Sequence, residues 1–154
     1  MSIEVYTDGS LRRTKNGVIC GYGIYFPNDE IENVSKKFTL EPITNNRAEL
    51  FAILQAIKLI LKSKIKFNKI NIYTDSDYSQ KSLNLWINKW KQNNWLNSQK
   101  KPVENQDIIK KIDDLRINNP NKIFIHWIKA HTNNNDIHSL NNKIADELAF
   151  NANN

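Results

Sequence analysis

Two short runs of this chain share one pattern: strand-forming residues that stop at a threonine followed by an aspartate. Residues 3–8 end at Asp8 and residues 70–75 end at Asp75, and both runs alternate or nearly alternate apolar and polar side chains. That alternation predicts two β-strands. A helical run lies between them, so we expect a crossover connection that makes the strands parallel. Adjacent parallel strands end at the same edge of a sheet, which would bring Asp8 and Asp75 together.

The first third of the chain predicts an antiparallel meander. Three apolar-rich runs, at residues 3–8, 21–26 and 31–39, are separated by turn-forming residues at 15–17 and 27–29. Short connections of this kind join antiparallel neighbours. The sheet is therefore expected to begin with three antiparallel strands.

Helical spacing of apolar residues begins at residue 47, directly after the capping residues 44–46. Interrupted short helices are predicted within residues 76–116, a fifth strand at residues 122–129 and a terminal helix at residues 140–152. The order of these elements predicts an α/β fold with a five-stranded mixed sheet, three antiparallel strands followed by two parallel ones, flanked by helices.

The length of 154 residues fits one domain that can bury a sizeable core. We expect a single domain over residues 1–154, ending in a flexible tail at residues 150–154. Cys20 is the one cysteine, which excludes an internal disulfide and fits a reducing intracellular compartment, taken here as the cytoplasm. Neither a secretion signal nor an apolar run long enough for a membrane span is visible in the sequence.

Four acids occupy places from which a fold could build a metal site. Asp8 and Asp75 close strands, Glu49 lies near the start of the first long helix and Asp146 lies in the last helix. A single acid of this kind is more often a helix cap or an exposed residue. If the four converge, however, they offer the oxygen ligands that Mg²⁺ prefers, and enough of them for two ions about 3.5–4 Å apart. Such a site suits phosphoryl displacement.

Four segments around these acids resemble type 1 ribonuclease H, of the cellular or bacterial kind that carries a basic protrusion. The segments are Thr7-Asp8-Gly9-Ser10, Thr44-Asn45-Asn46-Arg47-Ala48-Glu49-Leu50, Thr74-Asp75-Ser76 and Asn142-Lys143-Ile144-Ala145-Asp146-Glu147-Leu148-Ala149. They occur in the family's order, and the resemblance covers residues 3–149. It implies the ribonuclease H-like fold and endonucleolytic cleavage of the RNA strand of RNA/DNA hybrids with Mg²⁺ or Mn²⁺, leaving 5′-phosphate and 3′-hydroxyl ends. It also implies that the four acids are both catalytic residues and metal ligands.

The same resemblance assigns a catalytic role to His131, which follows the fifth strand and opens a polar loop. Histidine suits proton transfer near neutral pH. A lone loop histidine is otherwise usually a solvated bystander. The interval from His131 to Asp146 is longer than in the best-known members, and neither His126 nor His138 has a matching role. Asn142 matches an asparagine near the family's active site.

Several polar residues are candidates for binding the hybrid, because recognition of RNA requires donors and acceptors for the 2′-hydroxyl. By resemblance, Asn45 and Asn46 contact the hybrid, and Asn16 aligns less well with a third contact. Thr44 and Asn105 match a pocket for a phosphate of the DNA strand, although Pro42 replaces an arginine that some members place there. Turn or cap chemistry is the alternative explanation for these residues.

Residues 86–103 interleave cations with aromatic side chains and resemble the family's basic protrusion. Lysine and tryptophan in one segment suit phosphate neutralisation and flat apolar contact. A net charge of +6 also favours a polyanionic partner, although a generally lysine-rich surface would explain that charge equally well. The candidate contacts are Tyr78, Trp86, Lys89, Trp90, Lys91, Lys100 and Lys101. The alternative is that Trp86 and Trp90, one helical turn apart, only pack the helix.

Asp77 departs from the family pattern, because several members carry a neutral polar residue there. An extra acid beside Asp75 would be harmless if exposed, or would repel the nucleic-acid backbone or perturb metal binding.

The leading hypothesis is a monomeric enzyme that acts on RNA/DNA hybrids and has no membrane partner. A non-catalytic nucleic-acid-binding module of the same fold is the first alternative. It is disfavoured because a binder gains nothing from four acids beside phosphate. A DNA strand-transfer or junction-cleaving enzyme is a second alternative, and the ribonuclease H domain of a reverse transcriptase is a third.

Overall fold

A five-stranded sheet forms the centre of the computed structural model, which describes residues 1–130, 132 and 135–152. The strands are β1 (Ser2–Thr14), β2 (Gly17–Tyr25), β3 (Val34–Lys37), β4 (Lys69–Thr74) and β5 (Ile123–Trp127). Their spatial order is β3-β2-β1-β4-β5. The strands β1, β2 and β3 are antiparallel neighbours, whereas β4 is parallel to β1 and β5 is parallel to β4. The predicted mixed sheet is thereby confirmed.

Five helices flank the sheet: α1 (Asn45–Lys62), α2 (Asp77–Lys81), α3 (Ile87–Gln92), α4 (Gln106–Asn118) and α5 (Ile137–Phe150). A π-helical turn at Ser82–Trp86 joins α2 to α3. Helices α1 and α4 pack together on one face of the sheet, and α5 crosses β1, β2 and β3 on the other.

The main core lies between α1 and the sheet. Alternate residues of β1 and β4, among them Val5 and Ile72, are fully buried and belong to one apolar cluster with Ile53 and Ile57 of α1. Burying an aliphatic side chain of this size contributes about 1.5–3 kcal/mol. This cluster holds α1 against the two strands that carry Asp8 and Asp75.

The prediction that the first strand ends at Asp8 was wrong. Strand β1 continues to Thr14 because β2 still pairs with it there, through the partners Thr14 and Gly17. The neighbour on its other side, β4, ends at Thr74 opposite Thr7. Asp8 is therefore the point at which β1 loses one of its two neighbours, not the point at which it ends.

Helix ends also differ from the sequence prediction. Helix α1 runs from Asn45 to Lys62 and is capped by Thr44, whose hydroxyl accepts the backbone N–H of Arg47 at 3.1 Å. Helix α5 begins at Ile137, earlier than predicted, because Asp136 caps it by accepting the backbone N–H of Ser139 at 2.8 Å.

The structure describes the expected tail at residues 150–154 as far as residue 152. Phe150 is the last residue of α5, and Ala152 is 3% exposed. Asn153 and Asn154 lie outside the described residues. None of the helices in the described part of the chain has the length and apolar character that crossing a membrane would need.

Two glycines of β2 allow α5 to lie directly on the sheet. A Cβ atom at Gly23 would stand 2.5 Å from the carbonyl oxygen of Ala145 and 2.7 Å from the backbone nitrogen of Ala149. A Cβ atom at Gly21 would stand 2.5 Å from the carbonyl oxygen of Ala149. Since these neighbours are backbone atoms, no side-chain rotation could relieve the clash.

Replacing Gly23 by alanine should therefore push α5 away from β2. We expect Gly23→Ala to lower the free energy of unfolding by about 1–3 kcal/mol, the usual cost of overpacking. The predicted metal site should be disturbed as well, because α5 carries Asp146. Urea unfolding monitored by circular dichroism measures the first effect, and an unchanged midpoint would show that α5 is not packed this closely.

Candidate active site

The site lies where the paired part of β1 and β4 ends. The parallel ladder runs from Ser2 opposite Lys69 to Thr7 opposite Thr74. Asp8 and Asp75 are the next residues on each chain, so their side chains lie next to each other on the face that α5 covers. Asp8 is only 3% exposed, and Asp75 is half-buried. The sequence pattern of two strands ending in Thr-Asp led to this pair, and the structure brings the two acids together.

Gly9 brings Glu49 of α1 into the same cluster. Its backbone N–H donates to Glu49 Oε1 at 2.6 Å and to Asp8 Oδ1 at 2.9 Å. A Cβ atom at this position would stand 2.7 Å from the backbone nitrogen of Glu49, so only glycine allows the helix this close to the strand. Gly9 was not among the predicted site residues, although a glycine directly after a strand-terminal acid was a visible signal.

Asp8, Glu49 and Asp75 each offer a carboxylate oxygen, and these oxygens lie within 4.8 Å of one another. Asp146 of α5 is half-buried and lies within hydrogen-bonding reach of Asp8. Asn142, one turn earlier, donates from Nδ2 to Asp75 Oδ2 at 3.3 Å. The four predicted acids therefore converge, and Asn142 joins them.

The electrostatics of the cluster are unfavourable without a cation. Burial raises the pKa of Asp8, and the neighbouring charges of Glu49 and Asp75 raise it further. Burial is also the main cause of the raised pKa of Glu49, followed by the charge of Asp75. Carboxyl groups that repel one another in a low-dielectric setting gain most from a shared positive charge.

The donor set fits a hard divalent cation. All side-chain donors of the cluster are oxygens, which is the ligand type that Mg²⁺ and Mn²⁺ take in proteins. In addition, the buried Oδ1 atom of Asn142 has no hydrogen-bond partner among the described residues. Carboxylates of Asp8, Glu49 and Asp75 could hold the metal, and Asp146 is close enough to contribute.

A second feature, a surface pocket of about 440 Å³, lies at the start of α1. Its lining residues are Pro42, Thr44, Asn46, Arg47, Glu104 and Asn105. The structure thus places Thr44 and Asn105 in one pocket, as expected from the sequence, and adds Asn46 to it. Asn45 lies beside them in the exposed first turn of α1, one helical turn before Glu49.

Arg47 connects the chain segments that line this pocket. It was not among the predicted site residues. It is 3% exposed, and its Nη1 and Nη2 atoms each donate to a carboxylate oxygen of Asp107 at 2.9 Å. Nη1 also donates to Asn105 Oδ1 at 3.3 Å, and Nη2 to the carbonyl oxygen of Glu41 at 3.2 Å. The guanidinium group therefore joins the loop before α1 to the start of α4.

Comparison with known proteins shows the family of this chain. The family model for RNase H matches residues 1–154. The ribonuclease H of Treponema denticola is 36% identical over 151 residues, which cover 87% of this chain and 89% of that protein. The ribonuclease H of Schizosaccharomyces pombe is 38% identical over 146 residues, which cover 94% of this chain and half of that protein.

The chain belongs to the ribonuclease H family.

Solved structures agree with that membership. The solution structure of the PFV RNase H domain superposes with a TM-score of 0.74 at 29% identity, covering 96% of this chain and 92% of that one. The foamy viral protease-reverse transcriptase in complex with an RNA/DNA hybrid gives a TM-score of 0.75 at 28% identity, with 96% of this chain matching 19% of the larger one. As a ribonuclease H, the chain is a metal-binding hydrolase that cleaves the RNA strand of RNA/DNA hybrids.

An aromatic row extends from the pocket of this ribonuclease H. Asn105 Nδ2 donates to the hydroxyl of Tyr78 at 2.9 Å. From Tyr78 the ring centroids follow at 6.1 Å to Trp86, 6.0 Å to Trp90 and 6.3 Å to Trp95. Trp86 is 37% exposed, whereas Trp90 packs partly against the core. The row therefore combines packing with an open aromatic surface, so the two explanations offered for Trp86 and Trp90 are not exclusive.

The lysines of residues 86–103 are not equivalent. Lys89, Lys100 and Lys101 are exposed. Lys91 is exposed as well, but it forms an ion pair with Asp113 of α4, with 2.7 Å between Nζ and Oδ2. Its charge is therefore already compensated within the protein.

Two further residues, Asn16 and Asp77, lie apart from the cluster. Asn16 is exposed in the β1–β2 turn, beyond Thr14, which is roughly 20 Å along the strand from Asp8 at about 3.3 Å per residue. His131 lies outside the described residues. Asp77 is exposed and forms an ion pair with Lys81 at 2.8 Å, and its pKa is lowered by the hydrogen bond with that lysine. Its negative charge is thus partly neutralised.

Neutralising one acid of the cluster should stabilise the metal-free protein. The pKa of Asp8 is higher in the folded state than in the unfolded chain, so this group costs stability as the pH rises above about 4. At pH 7.5 in EDTA we expect Asp8→Asn to raise the melting temperature, by roughly 2–4 °C for each kcal/mol of repulsion removed. Added Mg²⁺ should stabilise the wild type but not this variant.

Asp77→Asn is the matched control for this experiment, since Asp77 is an exposed acid outside the cluster. It should retain the full stabilisation by Mg²⁺. Differential scanning fluorimetry with and without Mg²⁺ measures all three proteins. A lower melting temperature for Asp8→Asn in EDTA would mean that the cluster is not under electrostatic strain.

Proposed function

We propose that this chain hydrolyses the RNA strand of RNA/DNA hybrids by a two-metal-ion mechanism at Asp8, Glu49, Asp75 and Asp146, leaving 5′-phosphate and 3′-hydroxyl ends. The observation that carries the proposal is the convergence of three carboxylates, with oxygens within 4.8 Å of one another, at the end of the β1–β4 ladder. A site that only binds nucleic acid would place cations there, because negative charge repels phosphate.

Mg²⁺ is the proposed cofactor, with Mn²⁺ as a substitute. Two such ions, when bound, lower the pKa of the attacking water and stabilise the negative charge that develops on the leaving oxygen. The all-oxygen donor set supports this choice over a zinc site, which usually includes histidine or cysteine ligands.

The chain's own groups have separate proposed roles. Asn142 holds the orientation of the Asp75 carboxylate through its 3.3 Å hydrogen bond, and its buried Oδ1 has no hydrogen-bond partner among the described residues. His131 is proposed to transfer a proton to or from the leaving group, a role that rests on its sequence position alone. Imidazole suits this role because it titrates near neutral pH.

Hybrid binding is proposed to begin at the first turn of α1. Asn45 and Asn46 are exposed amides one turn from Glu49, where they could hydrogen-bond 2′-hydroxyl groups in the shallow minor groove. Thr44 and Asn105 are proposed to receive a phosphate of the DNA strand, supported by the pocket that they share with the Arg47 guanidinium group. Asn16 is a more distant candidate contact on the hairpin turn.

Residues 86–103 are proposed to act as the basic protrusion of a type 1 enzyme. The aromatic row from Tyr78 through Trp86 and Trp90 offers flat surfaces to the DNA strand, and Lys89, Lys100 and Lys101 offer charges to its phosphates. Base–aromatic stacking and phosphate neutralisation are the usual basis of such contacts.

The catalytic unit is proposed to be one domain over residues 1–154 that acts as a monomer. All four carboxylates come from one copy of the chain, so a second copy is not needed to complete the site. We further propose that it works in the cytoplasm, where the free and buried thiol of Cys20 would remain reduced.

The adjacent acids Asp75 and Asp77 offer a direct test of the mechanism. We expect Asp75→Asn to lower the rate of hybrid cleavage at least 100-fold, because it removes a metal ligand. Asp77→Asn should keep most of the activity, because Asp77 is exposed and paired with Lys81. The assay is cleavage of an end-labelled RNA/DNA hybrid, with RNA/RNA and DNA/DNA duplexes as substrate controls, in Mg²⁺ and in EDTA.

Hybrid cleavage that survives EDTA or Asp75→Asn would overturn the two-metal mechanism. Wild-type protein that binds the hybrid without cleaving it would leave only the non-catalytic module. Cleavage of DNA/DNA duplexes instead would favour a strand-transfer or junction-cleaving enzyme.

Lys89 and Lys91 test the role of the basic protrusion. Lys89 is exposed and forms no ion pair among the described residues. Lys89→Ala should therefore weaken hybrid binding and lower the slope of log Kd against log salt concentration by about 1, the value expected for one lost phosphate contact. Lys91→Ala should change that slope less, because Lys91 is paired with Asp113. Fluorescence anisotropy at four salt concentrations measures both slopes, and equal slopes for the two variants would contradict this assignment.

A further inference from the structure

His138 is the histidine to which neither the family resemblance nor the proposed mechanism gives a role. It lies in the first turn of α5 and is half-buried against the sheet. Its Nδ1 atom lies 2.6 Å from the hydroxyl oxygen of Tyr6. Its ring centroid lies 4.6 Å from that of Tyr73 and 5.8 Å from that of Tyr6. One side chain of α5 thus contacts two neighbouring strands.

His138 lies on two tyrosines that the sheet holds side by side. Tyr6 of β1 and Tyr73 of β4 are ladder partners, and their rings stack with centroids 4.7 Å apart. Tyr6 is 2% exposed, so its hydroxyl is buried where it meets His138 Nδ1. These two atoms form one hydrogen bond, in which the donor depends on the tautomer of the imidazole.

The spacing between His138 and Asn142 along α5 matches the spacing between the two tyrosines and the two acids along the strands. Tyr6 and Tyr73 precede Asp8 and Asp75 by two residues on the same face of the sheet, which is a rise of about 6.7 Å along each strand. His138 precedes Asn142 by four residues on the same face of α5, which is a rise of about 6 Å along the helix. When His138 lies on the tyrosines, Asn142 therefore lies at the level of Asp75.

The other contacts of α5 hold its C-terminal half. There Ala145 and Ala149 lie on Gly23 and Gly21, the Ser35 hydroxyl donates to the carbonyl oxygen of Leu148 at 2.6 Å, and the Arg12 guanidinium lies over the Phe150 ring. The level of the N-terminal half, which carries His138 and Asn142, depends on its own contacts with the sheet. The cap by Asp136 and the hydrogen bond between Thr132 and Ser139 are local to the start of the helix. Asn141 adds a hydrogen bond to the same Tyr6 hydroxyl, so Tyr6 is the common anchor.

We propose that His138 is a positioning residue of the metal site: by binding Tyr6 and lying on Tyr73, it sets the level of α5 at which Asn142 and Asp146 meet Asp75 and Asp8. The proposal rests on the proposed metal-dependent function. It concerns a residue that acts through Asn142 and Asp146 and does not itself touch metal or substrate.

His138→Phe tests the proposal, because phenylalanine keeps an aromatic ring and removes the nitrogen that binds Tyr6. We expect the apparent Kd for Mg²⁺, measured by isothermal titration calorimetry without substrate, to rise about 10-fold, which is typical for the loss of a group that orients metal ligands. In the cleavage assay, kcat should fall by a similar factor with KM for the hybrid unchanged, and higher Mg²⁺ concentrations should restore part of the rate.

His126→Phe is the matched control. His126 stacks on the same Tyr73 ring at 5.1 Å and forms a side-chain hydrogen bond, 2.8 Å between its Nε2 atom and Asn71 Oδ1, but it belongs to β5 and not to α5. This variant should bind Mg²⁺ and cleave hybrids as the wild type does. Tyr6→Phe removes the hydrogen bonds of both His138 and Asn141, so it should lose at least as much as His138→Phe, and the double variant should lose little more than Tyr6→Phe alone.

Unchanged Mg²⁺ affinity in a folded His138→Phe variant would overturn the proposal, as would an equal loss in His126→Phe, which would indicate general aromatic packing. If His138→Phe does not fold, the Mg²⁺ affinity of Tyr6→Phe, measured by the same titration, tests the proposal, and an unchanged affinity would overturn it. The calorimetric result separates this inference from the proposed function: a wild type that binds Mg²⁺ but cleaves no hybrid refutes the function alone, and a wild type that binds no Mg²⁺ refutes both.

Discussion

Repulsion among buried carboxylates is the constraint on which the rest of this structure depends. The ladder between β1 and β4 stops at Thr7 and Thr74, and the next residue on each strand is an acid. The fold then adds Glu49 to the pair instead of a compensating lysine or arginine. Such an arrangement costs stability, so packing elsewhere must hold the acids in place until a cation neutralises them.

That packing depends on close approach of backbones on both faces of the sheet. Gly9 admits α1 on one face, and Gly21 and Gly23 admit α5 on the other. Aromatic contacts add to this packing, because His138 in the first turn of α5 contacts Tyr6 and Tyr73. At the pocket beside α1, the buried Arg47 joins α1 to α4, and Asn105 connects this pocket to the aromatic row through its hydrogen bond with Tyr78.

The sequence predicted the order and type of the main elements, and it predicted which acids would meet. Its errors have physical causes. The strand that was expected to end at Asp8 continues to Thr14, because pairing with β2 outlasts pairing with β4 and no local residue records that difference. Arg47 was overlooked because an arginine in the first turn of a helix is usually exposed, and only the tertiary fold shows the acceptors that bury it.

The strand–acid pattern, the helical spacing after Thr44 and the motifs that resemble ribonuclease H could be recognised in the sequence, because each of them consists of residues close together in the chain. The ion pair of Lys91 with Asp113, the lack of an ion pair at Lys89 among the described residues, and the contact of His138 with Tyr6 follow from the tertiary structure alone. Those facts depend on which distant side chain comes within a few ångströms. Charge pairing and hydrogen bonding act over such distances, and local sequence does not specify them.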